Sequence, residues 1–215
     1  MQPRFLTFEG GEGAGKSTQI TLLAAAFSAA GTPCLVTREP GGSEGAEAIR
    51  SLVVTGAVDR WHPATEALLF MAARHDHIET RIRPALASGS WVLCDRFYDS
   101  TYVYQGIAKR VGGEWLDGLY NHLYGNLQPD LTLLLDIHVE QGLARAASRA
   151  GNETRFESMD MAFHTSLREG FLALAATSPK RIHVLDAAQP VEALHAQIIS
   201  AVNQRFSLSL VPQSA

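Results

Sequence analysis

Residues 10–17 read Gly10-Gly11-Glu12-Gly13-Ala14-Gly15-Lys16-Ser17, and this stretch restricts the fold more than any other part of the chain. It fits the pattern G-x-x-x-x-G-K-[ST], directly after a β-rich run at 5–8 and directly before a helical pattern that opens at Lys16. In that order, strand, glycine turn and helix let backbone N–H groups converge on an anion, and the positive end of the helix dipole acts at the same point. The anion that suits such a loop is a nucleoside triphosphate. Lys16 reaches its β- and γ-phosphates, and the Ser17 hydroxyl ligates Mg2+. Gly10, Gly11, Glu12, Gly13, Ala14, Gly15, Lys16, Ser17 and Thr18 are therefore the candidate ATP-binding residues.

The rest of the chain suits that loop. β-rich runs recur at 5–8, 34–37, 91–94, 131–135 and 182–185, separated by helical patterns at 16–30, 44–54, 64–86, 114–125, 139–150, 159–176 and 191–206. The alternation predicts an α/β fold: a P-loop three-layer sandwich with a five-stranded parallel sheet flanked by helices. No repeat or linker divides residues 1–206, which read as a single domain, and 207–215 reads as a tail that frays. Gly151-Asn152-Glu153-Thr154, flanked by Arg145, Arg149 and Arg155, reads as a short mobile basic lid at 145–157.

Of the 215 residues 46% are hydrophobic and 19% charged, the balance of a soluble globular protein. A net charge of −4 provides no global field toward nucleic acid or an anionic membrane, so neither is an expected partner. No run of eighteen apolar residues occurs, and the segment before residue 5 is too short for a signal peptide, so a cytoplasmic location is expected. The two cysteines, Cys34 and Cys94, each lie in a strand-like run and read as reduced core residues.

Ligands of an open parallel sheet bind beyond the carboxyl ends of its strands. The second strand is followed by Thr37-Arg38-Glu39-Pro40-Gly41-Gly42, and the third by Asp95-Arg96-Phe97-Tyr98-Asp99-Ser100. Each brings an arginine, the side chain best suited to bidentate capture of a phosphate, and two of them point to a second phosphorylated ligand facing the ATP. Asp95 is placed to hold magnesium directly or through water. On the helix at 64–86, Leu68, Met71, His75, Ile78 and Ile82 make the expected buried stripe, with His75 facing the core and His77 at the pocket edge or in solvent. Phe70 and Arg74, one turn apart, can stack on a base and donate to its carbonyl.

With these motifs in order, the chain resembles the bacterial thymidylate kinases, which make dTDP from dTMP and ATP. The resemblance rests on the phosphate loop, Arg38-Glu39-Pro40-Gly41-Gly42, Phe70-x-x-x-Arg74, Asp95-Arg96, Ser100-Thr101, Tyr104-Gln105-Gly106, Pro129-Asp130-Leu131-Thr132 and Asp186-Ala187-x-Gln189-Pro190. It implies that Phe70 stacks on thymine, that Arg74 bonds a thymine carbonyl, and that Ser100 or Thr101 completes the base pocket with Gln105. By the same resemblance Arg38 and Arg96 hold the dTMP phosphate, Glu12 accepts from the 3′-hydroxyl, and Tyr104 crowds the 2′ position. Val103 departs from the small residue usual before the Tyr-Gln pair. The resemblance also implies a homodimer, although no sequence feature independently shows an interface.

The acceptor is already an anion, so catalysis calls for positioning and charge neutralisation rather than a general base. Lys16, Arg96 and Mg2+ are expected to carry it, with one further arginine. One branch of the family has that arginine in the phosphate loop, where this chain has Gly13; the other supplies it from the lid. Arg149 or Arg155 is then the phosphoryl arginine, and Arg145 stacks nearer adenine. Two other readings share the loop: a deoxynucleoside kinase with Glu39 as base, and a nucleotide-binding regulator without transfer activity.

Overall fold

The structure, a computed structural model, describes residues 2–125, 127–148 and 155–213. Five parallel strands, β1 (Phe5–Glu9), β2 (Cys34–Arg38), β3 (Trp91–Asp95), β4 (Leu131–Asp136) and β5 (Ile182–Asp186), lie in the order β2-β3-β1-β4-β5. β1 is central: Phe5 stands opposite Val92 on one side, and Leu6 opposite Leu131 on the other. All five of its residues are buried, as expected for a strand covered on both faces.

The two-residue period of β1 separates two chemistries. Leu6 and Phe8 join Ile20, Leu23 and Phe27 of α1 (Lys16–Ala29) and Ile198 of α9 (Val191–Phe206) in one apolar cluster. Phe5 packs on the other face with Met71 of α3 (Pro63–His77), Ile78 and Ile82, and Tyr124 of α6 (Gly113–Tyr124). Thr7 and Glu9 share that second face, and Thr7 bonds Thr132 through their hydroxyls at 2.8 Å. The sheet thus carries a polar file beneath the site. The remaining helices are α2 (Glu44–Val53), α4 (Arg83–Ala87), α5 (Tyr98–Thr101), α7 (Val139–Ala147) and α8 (Met161–Thr177). Among the described residues no helix is long and apolar enough to cross a membrane.

Four expectations need correction. The pattern at 64–86 is not one regular helix: α3 passes through a π-helical turn, Ile78–Ile82, into α4. Met71, Ile78 and Ile82 of the expected stripe are buried, but Leu68 is 49% exposed and His75 is exposed, while His77 is fully buried. Arg74 and His77 turn inward because Glu39 pairs with both, a long-range partnership that apolar spacing does not register. The segment after β3, to which apolar spacing assigned no element, is helical, with α5 running into a π-helical stretch, Tyr102–Ala108. The C-terminal tail does not fray throughout: Asn203 exchanges two 2.9 Å hydrogen bonds with the backbone of Leu210, which is buried in the first cluster. Both cysteines are free, but only Cys94 is fully buried.

Candidate active site

The phosphate loop leaves the carboxyl end of β1, where the sheet reverses its winding direction between β3 and β4, and α1 begins at Lys16. Lys16 Nζ donates to the carbonyls of Gly10 (3.1 Å) and Gly11 (2.9 Å), so the lysine lies folded over its own loop. Burial, and then Arg96, pull its pKa down to about 8 against the opposing pull of Asp95 and Glu12. Ser17 Oγ donates to Asp95 Oδ2 at 2.9 Å. The two oxygens expected to share a magnesium ion therefore already meet, and this hard-oxygen pair beside a phosphate site fits Mg2+.

Gly13 has φ +69°, and a Cβ there would lie 1.9 Å from the carbonyl oxygen of Gly142 on α7. A Cβ on Gly142 would in turn lie 2.4 Å from the carbonyl oxygen of Glu12. The loop and α7 touch backbone to backbone, which leaves no room for an arginine at position 13.

Arg96 follows β3 in the left-handed region, φ +66°. Its Nη1 donates to Gly10 O (2.9 Å) and Ser100 Oγ (3.1 Å), and its Nη2 to Glu12 Oε1 (2.9 Å). Tyr104 contributes a ring 5.2 Å from the guanidinium and a hydroxyl that donates to the same Glu12 oxygen at 2.9 Å. Burial would raise the Glu12 carboxyl, but Arg96, Lys16 and the Tyr104 hydrogen bond outweigh it and hold the pKa at about 2. Glu9, the last residue of β1, supports Arg96 from below by accepting from Phe97 N (2.7 Å) and Ser100 Oγ (2.5 Å). Burial, followed by repulsion from Asp99, pushes its pKa up to about 8. Glu9 carried no motif of its own in the sequence.

A cleft of about 420 Å³ runs from the phosphate loop past Arg96 to Phe70, Arg74, Ser100, Thr101, Tyr104 and Gln105. The expected acceptor residues are thus brought together. Arg74 is 2% exposed; its Nε donates to Glu39 Oε2 (2.7 Å) and its Nη2 to Thr101 Oγ1 (2.9 Å), with the rings of Phe97 and Tyr98 at 5.1 and 5.7 Å. Glu39 is engaged on its other oxygen by His77 at 2.9 Å, and the Glu39–Pro40 bond is cis. Arg38 also lines the cleft, but its side chain is 53% exposed and rests on Glu47. Val103 is buried against Gly170 of α8, so its extra methyl groups are accommodated away from the cleft.

Arg50 and Phe156 line the cleft without having been singled out in the sequence. Arg50 Nη1 donates to the Pro40 carbonyl at 2.5 Å, and no motif marks it. Phe156 had a signal, an aromatic residue directly after the arginine that ends the basic stretch.

The lid residues separate. Arg145 Nη1 donates to the carbonyl of Ala187, in the loop after β5 (2.9 Å). Arg149 lies outside the described residues, as does the Gly151 to Thr154 stretch. Arg155 does not stand over the phosphate loop. It is 2% exposed and donates to the carbonyls of Val53, Ala57 and Val58 while pairing with Glu66 at 2.5 Å. Four of the five N–H donors of its guanidinium are engaged there, away from the phosphate loop, which corrects the expectation that it stands over the transferring phosphoryl group.

A sequence profile described as thymidylate kinase matches residues 8–198. The chain is 54% identical over 204 residues to the thymidylate kinase of Caulobacter vibrioides, covering 95% of this chain and 98% of that one. It is 51% identical over 209 residues to the thymidylate kinase of Magnetococcus marinus, covering 97% and 100%. The crystal structure of thymidylate kinase from Ehrlichia chaffeensis superposes with a TM-score of 0.77 at 30% identity, covering 94% of this chain and 100% of that one. With the phosphate loop, Arg96 and the adjoining cleft joined at the carboxyl end of one parallel sheet, the chain belongs to the thymidylate kinase family.

Proposed function

We propose that the phosphoryl transfer from ATP to dTMP that defines this family proceeds here by in-line displacement, with Arg96 as the bridge between donor and acceptor. The observation that carries the reading is the position of Arg96, which touches the phosphate loop through Gly10 and Glu12 and the acceptor cleft through Ser100. The dTMP phosphate displaces the Glu12 contact and takes the guanidinium, assisted by Arg38. Glu12, held ionised, accepts from the 3′-hydroxyl, and Tyr104 occupies the space a 2′-hydroxyl would need. Phe70 stacks on the base, Arg74 donates to a thymine carbonyl, and Thr101 or Ser100 closes the pocket with Gln105.

On the donor side the loop amides and Lys16 hold the phosphates, and Arg145 sits nearer adenine. Ser17 and Asp95 hold Mg2+, which when bound supplies charge neutralisation on the phosphate oxygens. Arg149 is the proposed phosphoryl arginine. No residue need deprotonate the acceptor, because a phosphate monoester is already an anion at neutral pH. The whole chain acts as one domain, as a cytoplasmic homodimer.

A coupled assay of ADP release with dTMP or thymidine as acceptor, each with and without Mg2+, tests the reading. Turnover with dTMP alone, abolished by chelation, is expected. Turnover with thymidine alone overturns it and makes Glu39 the candidate base.

A further inference from the structure

Glu66 lies in the first turn of α3, is fully buried, and belongs to none of the phosphate-binding machinery. Its carboxylate gathers three side chains. Oε1 accepts from Gln105 Nε2 (2.9 Å), Lys109 Nζ lies 2.7 Å from Oε1 and 2.8 Å from Oε2, and Arg155 Nη2 meets Oε2 at 2.5 Å. The guanidinium of Arg155 is otherwise seated in three carbonyls, that of Val53 at the end of α2 and those of Ala57 and Val58 in the connection to α3.

The next residue, Phe156, is where this cluster meets the cleft. Both cations bound to Glu66 approach its ring, Arg155 Cζ at 5.2 Å and Lys109 Nζ at 5.3 Å. The ring lies 6.2 Å from Phe70 and 5.6 Å from Tyr104, edge-on to the latter. Phe156 has no polar group of its own to hold it, so its position follows from the cations and from Arg155 one residue earlier. Gln105 is fixed by the same carboxylate. A carboxylate accepts, so the amide presents its NH2 to Glu66 and keeps its carbonyl oxygen for the cleft that it lines. A thymine N3–H can donate to that oxygen, whereas the bare N3 of cytosine cannot.

We propose that Glu66 is the positioning residue of the nucleobase pocket: through Arg155 and Lys109 it seats Phe156 against Phe70 and Tyr104, and directly it orients the Gln105 amide. The proposal rests on dTMP as acceptor. It also assigns Arg155 to substrate selection rather than to the transferring phosphoryl group.

Calorimetric titration of dTMP and of ATP into the wild type, Glu66→Gln, Arg155→Ala and Phe156→Ala tests it. Each variant is expected to raise the Kd for dTMP by about tenfold and to shift that for ATP by less than about twofold. Arg155→Ala combined with Phe156→Ala should lose no more than the weaker-binding single variant, because the arginine acts through the ring. Glu66→Gln should also narrow the preference for dTMP over dCMP by about tenfold, since a neutral amide lets Gln105 turn over. A loss confined to kcat with dTMP affinity intact, or additive losses in the double variant, overturns the proposal. Glu66→Gln leaves two buried cations against a neutral group. If it does not fold, Phe156→Ala and Arg155→Lys decide by the same titrations. Wild-type protein that fails to bind dTMP overturns the substrate reading itself; wild-type binding with unchanged variants overturns only the role of Glu66.

Discussion

The donor end and the acceptor end of the cleft are built in opposite ways. The donor end is one continuous stretch, Gly10 to Thr18, whose recognition atoms are mostly backbone, with Lys16 folded back onto its own loop carbonyls. The acceptor end is assembled from side chains far apart in the chain: Arg74 on Glu39, Arg96 on Glu12 and Gln105 on Glu66. Arg38, Arg74 and Arg96 are each held in the present structure by a carboxylate. A loop that reads a constant phosphate chain can be local and nearly self-sufficient. A pocket that must distinguish one base and one sugar needs directed groups from several elements, each fixed by a partner that does not touch the ligand.

That contrast breaks first at Lys16. Lys16→Ala should lower kcat on the order of a thousandfold, because no neighbouring group in the loop carries a replaceable positive charge. Steady-state ADP release on a variant with an unchanged melting curve checks this, and a loss under about tenfold would show that the backbone alone suffices. Arg96→Ala comes next, with kcat/KM for dTMP falling on the order of a hundredfold and KM for ATP within about twofold. Equal losses for both nucleotides would remove the division between the two ends.

Gly13→Ala sharpens the comparison from the donor side. Its Cβ must displace the Gly142 carbonyl, at a cost of roughly 1–3 kcal/mol to stability, and ATP affinity should weaken while dTMP affinity does not. Denaturant melts and titrations with each nucleotide test both halves.

The smallest effect concerns Glu9. The folded protein holds its proton up to about pH 8, whereas the unfolded chain releases it near the ordinary 4.5. The folded state therefore carries more protons between those values, so this contribution to stability falls as pH rises through the window and is gone above it. Urea unfolding of the wild type and Glu9→Gln from about pH 5 to about pH 9 should show the wild type losing stability relative to the variant. Parallel curves would mean that Glu9 is ionised throughout.

The same division explains what could be read from the sequence. The phosphate loop was complete because its meaning lies in spacing over eight consecutive residues. The five strands were located to within about a residue because burial on both faces leaves short apolar runs. Phe70, Arg74, Arg96 and Gln105, which line the cleft, stand in ordered motifs, but their supports do not. Glu66 looks like a solvated helix carboxylate, Glu9 is simply the residue before the glycines, and His77 lay on the side of α3 opposite to the one expected. Inward polar residues are decided by partners tens of positions away, which periodicity cannot register. Arg155 illustrates this: the basic stretch suggested Arg149 or Arg155 for the phosphoryl group, and the carbonyls around the Arg155 guanidinium hold it elsewhere.

The backbone contact between Gly13 and Gly142 also limits how such a chain can change. A donor-side arginine could in principle be gained inside the phosphate loop, making a lid arginine redundant. From this sequence no single substitution reaches that arrangement, because any side chain at 13 strikes α7 and any side chain at 142 strikes the loop. The helix must first shift outward, and α7 also carries Arg145, whose hold on Ala187 anchors the loop after β5. The two glycines thus act as a ratchet on the protein's future sequences, closing the phosphate loop to an arginine.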